Sequence, residues 1–298
     1  MSYRPPKTIS KSDPQMFSVV FKIFKFLENR DKTAVCRIIG NLDGDSENAN
    51  LVSAMASIYQ IVKPVVDAQQ IKKSEDRQDF ITGKILDYIH PEIVVSTDAK
   101  DWRLVDIGGG NGNILSGIQT RLSGPVDNYI CVENKSDWQE TYDYSNPNIR
   151  YLFWDNQELA GLADGSVDIA FCMVSLHHMT DGTITNILAE LSRVLKPGGK
   201  LLIKEHAATP DNLKYILWEH HLYHILDVAI GGSPGANQST WQDYLVRSIN
   251  NFKPANEWRS LCEEHGFKFV ERMNRFLDGG FEPDPRNPSE LYWDVYII

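Results

Sequence analysis

Apolar and polar residues follow the period of amphipathic helices in the first part of the chain. From Met16 to Leu27 the apolar residues have helical spacing, and Asp13-Pro14 before them favours a helix start, since proline fits the first helical position. A second apolar series runs from Leu51 to Ile61, and we expect Pro64 to end or kink that helix. No chemical motif occurs in this part. The pattern predicts a helical appendage over residues 1–75.

Beyond a further helical pattern over residues 78–89, short apolar runs of strand length alternate with helical segments. The runs lie at 104–107, 129–132, 149–154, 167–174, 200–204 and 291–298. Strands that alternate with helices are typical of a parallel sheet with helical crossovers. We therefore expect an α/β domain over residues 76–298.

Glycines are concentrated directly after the first of these strands, in Val105-Asp106-Ile107-Gly108-Gly109-Gly110-Asn111-Gly112-Asn113. Glycines there let the backbone turn sharply into a helix close to a ligand. A dinucleotide-binding fingerprint would place its third glycine where Asn113 stands. The loop therefore indicates a nucleotide-like cofactor of another kind. On the glycines alone, a plain strand-to-helix turn stays open as the alternative.

The glycine stretch resembles the first motif of class I S-adenosylmethionine (SAM)-dependent methyltransferases, of the type 11 group. Later segments match that family in order: Asp164 to Ile169, Ser175-Leu176-His177-His178, and Leu191 to Gly199. The resemblance covers roughly residues 78–272 and extends faintly to methyltransferase domains of some large viruses. It implies a Rossmann-like fold with a mostly parallel seven-stranded central sheet, helices on both faces, and N-terminal helices that cover the substrate.

The resemblance also implies S-adenosyl-L-methionine as cofactor, bound at the carboxyl ends of the strands. Glu133 stands about twenty residues after the glycine loop, where a carboxylate can accept hydrogen bonds from both ribose hydroxyls. Its alternative role is that of a surface acid. The expected set is the methionine cradle Asp106, Gly108, Gly109, Gly110 and Gly112, then Glu133 for the ribose, Asp155 and Asn156 at the adenine, and Ser175.

A catalytic base is harder to identify, because methyl transfer from a sulfonium needs mainly in-line positioning of the acceptor. His177 is a candidate because imidazole titrates near neutral pH. Alternatively, His177 and His178 only shape the SAM pocket. The loop after the fourth strand lacks Asn-Pro-Pro-Tyr, and the chain lacks a Pro-Cys nucleophile. Methylation of exocyclic nitrogens and of pyrimidine carbons is therefore disfavoured.

RNA is the alternative acceptor to a small molecule. Ribose 2′-O-methyltransferases use a Lys-Asp-Lys-Glu tetrad, and Lys84 and Lys204 match its lysines, with Glu290 or Asp294 as the final acid. The fourth strand, however, ends without a carboxylate. We therefore favour a small-molecule acceptor and keep an RNA cap or ribose as the second hypothesis. A third is an inactive methyltransferase-fold subunit that binds a partner, since a fold does not guarantee an activity.

Composition narrows these hypotheses further. A net charge of -10 over 298 residues disfavours indiscriminate nucleic-acid binding. No apolar run reaches membrane-spanning length and the N-terminus lacks a signal-peptide pattern, so we expect a cytoplasmic protein without membrane contact. The cysteines form no C-x-x-C pair, and we expect reduced core thiols and no metal site. The histidine-rich run from Trp218 to His224, with His220 and His224 on one helix face, is expected to line the acceptor pocket.

Overall fold

The computed structural model describes residues 13–42, 48–71, 82–83, 85–86, 101–134, 144–231, 238–273 and 291–298. These residues form two compact units. One, the helical unit, contains the described residues between 13 and 71 and between 207 and 252. The other, the sheet unit, contains those between 82 and 206, between 253 and 273, and the final strand. The helices are α1 (Pro14–Ile23), α2 (Asn29–Gly40), α3 (Asn48–Gln69), α4 (Asn113–Leu122), α5 (Asp181–Val194), α6 (Leu213–Ile230), α7 (Gln238–Arg247) and α8 (Ala255–Glu264).

The sheet unit is built on a sheet of seven strands, which are β1 (Leu104–Ile107), β2 (Tyr129–Asn134), β3 (Arg150–Trp154), β4 (Val167–Met173), β5 (Leu195–His206), β6 (Lys268–Arg272) and β7 (Leu291–Ile297). Their order in the sheet is β3-β2-β1-β4-β5-β7-β6. Neighbouring strands among β1 to β5 are parallel, and β7 pairs antiparallel with both β5 and β6. The predicted Rossmann-like α/β fold with a mostly parallel seven-stranded sheet is confirmed.

The register of the sheet decides which side chains share a face. Residues directly opposite each other in paired strands project from the same side, and successive residues alternate between sides. Lys204 pairs with Trp293, whereas Glu205 pairs with Tyr292 and Ile203 pairs with Asp294. Lys204 therefore projects from one face of the sheet, and Glu205 and Asp294 from the other.

The helical unit packs the apolar faces of its helices into one core. Asp13 caps α1, as its side chain accepts hydrogen bonds from the backbone of Gln15 and Met16 at 2.9 and 3.2 Å. Core residues include Val20, Phe24, Val35, Met55, Ile58, Leu222 and Trp241. An end of the helix at Pro64 is wrong, because α3 continues to Gln69, and the alternative of a kink at Pro64 stays a prediction. Val62 and Val66 on either side of Pro64 are buried, and this packing offsets the hydrogen bond that proline cannot donate.

The described residues between 207 and 252 follow the fifth strand of the sheet in sequence but belong to the helical unit. The division at residue 75 into an appendage and a methyltransferase domain stays a prediction. The four cysteines are all buried, as expected of core thiols.

His221 is a buried titratable group in the helical unit. Its side chain is 1% exposed, and its Nδ1 lies 3.2 Å from the hydroxyl of Tyr244. The ring of His224 stacks on Tyr244 with centroids 3.8 Å apart. Burial lowers the pKa of both histidines to about 4, because the imidazolium would lose its hydration. Both rings are therefore neutral at neutral pH.

Acid should consequently destabilise the protein through His221. In the unfolded chain histidine titrates near 6.5, so between pH 6.5 and 4 the unfolded state binds the extra proton. This stability is present above about pH 6.5 and is lost as the pH falls, by about 2 kcal/mol at pH 5. Denaturant unfolding of the wild type and of His221→Phe at neutral and acidic pH measures the effect. The same pH dependence in both proteins would contradict the assignment.

Candidate functional site

Three glycines of the turn between β1 and α4 adopt backbone conformations that other residues rarely take. Gly108, Gly110 and Gly112 have φ of +70°, +60° and +67°, in the left-handed region. The amide of Gly108 donates to the carbonyl of Val132 at 2.8 Å, which ties the turn to the neighbouring strand. A Cβ on Gly112 would stand 2.0 Å from Cδ1 of the buried Ile149. The backbone conformation therefore favours glycine at all three positions, and an added Cβ at Gly112 would also force Ile149 to shift.

Asp106 is the buried acid of this site. Its side chain is 1% exposed, and within the described residues neither carboxylate oxygen has a hydrogen-bond partner. Burial, and then the charge of Glu133, raise the pKa of Asp106 to about 8. A buried carboxyl group without a partner is costly, and a ligand that supplies a donor would remove that cost.

Glu133 ties the second strand to the glycine turn. Its carboxylate accepts a hydrogen bond from the backbone amide of Gly110. Burial raises the pKa of Glu133, while the bond from Gly110 acts in the opposite direction. The structure therefore brings Asp106, Gly110 and Glu133 together, at the carboxyl edge of the sheet where ligands of parallel sheets bind.

The end of β3 contributes Asp155 and Asn156 to the same edge. Asn156 has φ of +70°, its side-chain oxygen accepts from Asn134 Nδ2 at 2.9 Å, and its carbonyl accepts from Asn186 Nδ2 at 2.7 Å. Asp155 is exposed, and its carboxylate accepts from the amide of Gln157 at 3.2 Å. Asn156 thus links the ends of β2 and β3 to helix α5, and Asp155 stays accessible to a ligand.

Ser175 lies against the glycine turn from the strand on the other side. An added Cβ on Gly108 would meet the Cβ of Ser175 at 2.7 Å, so these two residues are in close contact. Ser175 is 6% exposed, and its hydroxyl has no partner among the described residues. Before it, Val174 has φ of +60°. For a β-branched residue this is an outlier that costs about 1–3 kcal/mol, and such outliers concentrate at functional sites.

His177 and Glu205 form a buried pair beside Ser175. Nδ1 of His177 lies 2.6 Å from Oε2 of Glu205, and both side chains are at most 1% exposed. Burial lowers the pKa of His177 to about 3 and raises that of Glu205 to about 7. His178, by contrast, is exposed. A neutral, enclosed imidazole is a weak base, and this geometry favours a wall of the pocket over direct proton transfer.

The parts of the RNA-type tetrad do not come together in the described residues. Lys84 and Glu290 lie outside them. Lys204 is 7% exposed, with its ammonium 5.0 Å from the centroid of Trp293. Asp294 projects from the opposite face of the sheet, where Arg272 Nε and Nη2 donate to it at 2.7 and 2.9 Å. Asp294 therefore does not supply the acid next to Lys204.

The histidine-rich segment lies on α6 in the helical unit. His220 packs against Phe252 with ring centroids 4.9 Å apart, and His224 stacks on Tyr244. These rings make aromatic contacts within the unit. The role of this segment as a lining of the acceptor pocket stays a prediction.

Sequence reasoning missed the role of Glu205. Glu205 belongs to Ile203-Lys204-Glu205-His206 at the end of β5, where the tetrad hypothesis names Lys204 and not Glu205. The signal was available, since an acid at the carboxyl end of a parallel strand is what singled out Glu133. The contact of Tyr151, whose hydroxyl donates to the carbonyl of Asn111 at 2.8 Å, had no comparable signal.

Comparison with known proteins identifies the class. Residues 104–199 match a family described as a methyltransferase domain. The chain is 27% identical over 189 residues to the ubiquinone/menaquinone biosynthesis C-methyltransferase UbiE of Paracoccus denitrificans, with 60% of this chain and 74% of that protein covered. It is 24% identical over 194 residues to the thiol S-methyltransferase TMT1B of Rattus norvegicus, covering 62% and 72%. A solved carbon methyltransferase, CurJ, aligns with a TM-score of 0.48 and 14% identity, over 94% of this chain and 66% of that one.

The protein is accordingly an enzyme of the class I methyltransferases. It belongs to the SAM-dependent group, and S-adenosylmethionine is its cofactor. The residues present fit that cofactor, because the buried carboxyl of Asp106 lies at the glycine turn and has no hydrogen-bond partner among the described residues. Among the described residues, no helix is both long and apolar enough to cross a membrane.

Replacing Gly112 by alanine should destabilise the protein more than the same change at Gly165. Both glycines have positive φ, +67° and +56°, but an added Cβ on Gly165 meets nothing within 4 Å. The backbone strain of about 1–2 kcal/mol is common to both variants, whereas Gly112→Ala also overpacks Ile149 by about 1–3 kcal/mol. Denaturant unfolding of the two variants measures the difference. Equal losses would show that the turn has room for a side chain.

Proposed function

We propose that this SAM-dependent methyltransferase transfers a methyl group to a small-molecule acceptor. One observation supports a small molecule over RNA. Lys204, the lysine of the RNA-type tetrad that the structure describes, is enclosed beside Trp293, and Asp294 projects from the other face of the sheet. RNA binding requires accessible basic groups that neutralise phosphates. The relatives support the same choice, since one is named for ubiquinone and menaquinone biosynthesis and another for thiols.

The cofactor site that we propose is the carboxyl edge of β1, β2 and β3. Asp106 and the turn Gly108, Gly109, Gly110 and Gly112 would hold the methionine part, and Glu133 the ribose. Asp155 and Asn156 would hold the adenine, with Ser175 closing the site next to Gly108. The support is the convergence of the buried Asp106 and the half-buried Glu133 on one glycine turn, with Asp106 lacking a hydrogen-bond partner among the described residues. SAM supplies an activated methyl group when it is bound.

The protein contributes mainly orientation. Methyl transfer needs the acceptor atom in line with the methyl group, and orientation of this kind supplies up to about 7–11 kcal/mol. His177, Lys204 and Lys84 stay candidates for proton transfer. Of these, His177 is fully enclosed and Lys204 nearly so, whereas Lys84 lies outside the described residues. We therefore assign catalysis to positioning and give His177 the role of shaping the pocket.

Glu133→Ala should weaken SAM binding about tenfold or more, a loss of about 1.4 kcal/mol. The variant loses both the ribose acceptor and the bond that holds the amide of Gly110. Isothermal titration calorimetry with SAM measures the change. Glu271→Ala is the matched control, since Glu271 is exposed on β6. Unchanged affinity in a folded Glu133→Ala would refute the cofactor site.

Labelled SAM identifies the acceptor class. We expect the wild-type protein to label small metabolites from an extract and not capped or uncapped RNA. Lys204→Ala should keep that labelling, because the lysine is enclosed beside Trp293 and we assign catalysis to positioning and not to proton transfer. Label that enters RNA and is lost in Lys204→Ala would instead establish the RNA reading.

A further inference from the structure

We propose that Glu205 is a positioning residue that holds the turn after β4 against the glycine turn of the cofactor site. The proposal rests on the proposed cofactor site and adds to it Glu205, which projects from the face of the sheet opposite to Lys204. Glu205 acts through the backbone of that turn, not by contact with the cofactor.

The carboxylate of Glu205 makes two bonds to consecutive residues of the turn. Oε1 accepts from the backbone amide of Leu176 at 2.9 Å, and Oε2 pairs with Nδ1 of His177 at 2.6 Å. All three side chains are at most 1% exposed. Since water has little access to replace a lost bond, the hydrogen bond of the Leu176 amide depends on this one carboxylate.

The turn needs such a restraint because its first residue is strained. Val174 has φ of +60°, and its amide donates to the carbonyl of Lys204 at 2.7 Å. The backbone of Lys204 and the side chain of Glu205 thus hold Val174, Leu176 and His177 from one strand. A strained conformation persists only where the surroundings fix it, and β5 supplies that fixation.

Ser175 transmits this restraint to the cofactor site. It lies between Val174 and Leu176, both of which β5 holds, and its Cβ touches the backbone at Gly108. Gly108 in turn bonds to Val132 at 2.8 Å. If Glu205 released Leu176, Ser175 would move away from the first glycine, and the wall of the cofactor site would lose its shape.

The first test is hydrogen exchange at the Leu176 amide of the full chain, without SAM. Glu205→Leu removes both bonds and should speed that exchange about tenfold or more relative to the wild type. Glu205→Gln should restore slow exchange, because the side-chain oxygen of glutamine accepts from the Leu176 amide and its amide NH2 donates to His177. Glu271→Leu, at an exposed site of β6, is the control and should leave the rate unchanged.

The second test is SAM affinity by calorimetry, alongside thermal melting of each variant. We expect the dissociation constant to rise about tenfold in Glu205→Leu and to return to within about threefold of the wild type in Glu205→Gln. Where Glu205→Leu does not fold, Glu205→Asp takes its place, since the shorter side chain cannot reach both partners.

Two results would overturn the proposal. One is wild-type exchange at Leu176 in a folded Glu205→Leu or Glu205→Asp variant, and the other is wild-type SAM affinity in that variant. Failure of the wild-type protein itself to bind SAM would refute the proposed cofactor site instead, while the exchange at Leu176 would still report on Glu205. The two failures are therefore distinguishable.

Discussion

A carboxylate that leaves water must find a hydrogen-bond donor, and the carboxyl edge of this sheet meets that constraint in a repeated way. Glu133 at the end of β2 accepts from the amide of Gly110, and Glu205 at the end of β5 accepts from the amide of Leu176. Each acid fixes the turn that follows a neighbouring strand, so the loops of the edge are held by side chains of adjacent strands. Asp106, between them, has no such donor among the described residues. Of these three acids, Asp106 is therefore the one for which we expect the cofactor to supply the donor.

The register between β5 and β7 places Lys204 and Glu205 on opposite faces of the sheet. Lys204 and Glu205 are neighbours in sequence, but one packs against Trp293 and the other pairs with His177 on the opposite side. Asp294 shares the side of Glu205 and is held by Arg272. This alternation keeps Asp294 away from Lys204 in the described residues, and it adds to the missing carboxylate at the end of the fourth strand.

Two non-glycine residues with positive φ lie in turns at the carboxyl edge of the sheet. Val174 and Asn156 both have positive φ, and each directly follows or nearly follows the end of a parallel strand. Neighbouring elements hold each of them. The side chains of Asn134 and Asn186 bond to Asn156, and the backbone of β5 bonds to Val174. The helical unit has a different character, with aromatic rings such as Tyr244 and Trp241 packed around neutral histidines. Its core rests on apolar and aromatic packing more than on polar turns.

The sequence by itself determined the fold class and led to the proposed cofactor residues. The alternation of strands and helices is a local property of the chain, and the glycine spacing after Asp106 reflects a backbone conformation that only glycine adopts easily. Glu133 followed because the carboxyl ends of parallel strands lie at one edge. Only the tertiary structure decided that Glu205 pairs with His177, that Asp294 is turned away from Lys204, and that residues 207–252 join the N-terminal helices. These facts depend on strand register and on contacts between residues far apart in the chain, and a shift of one residue in register would reverse each face.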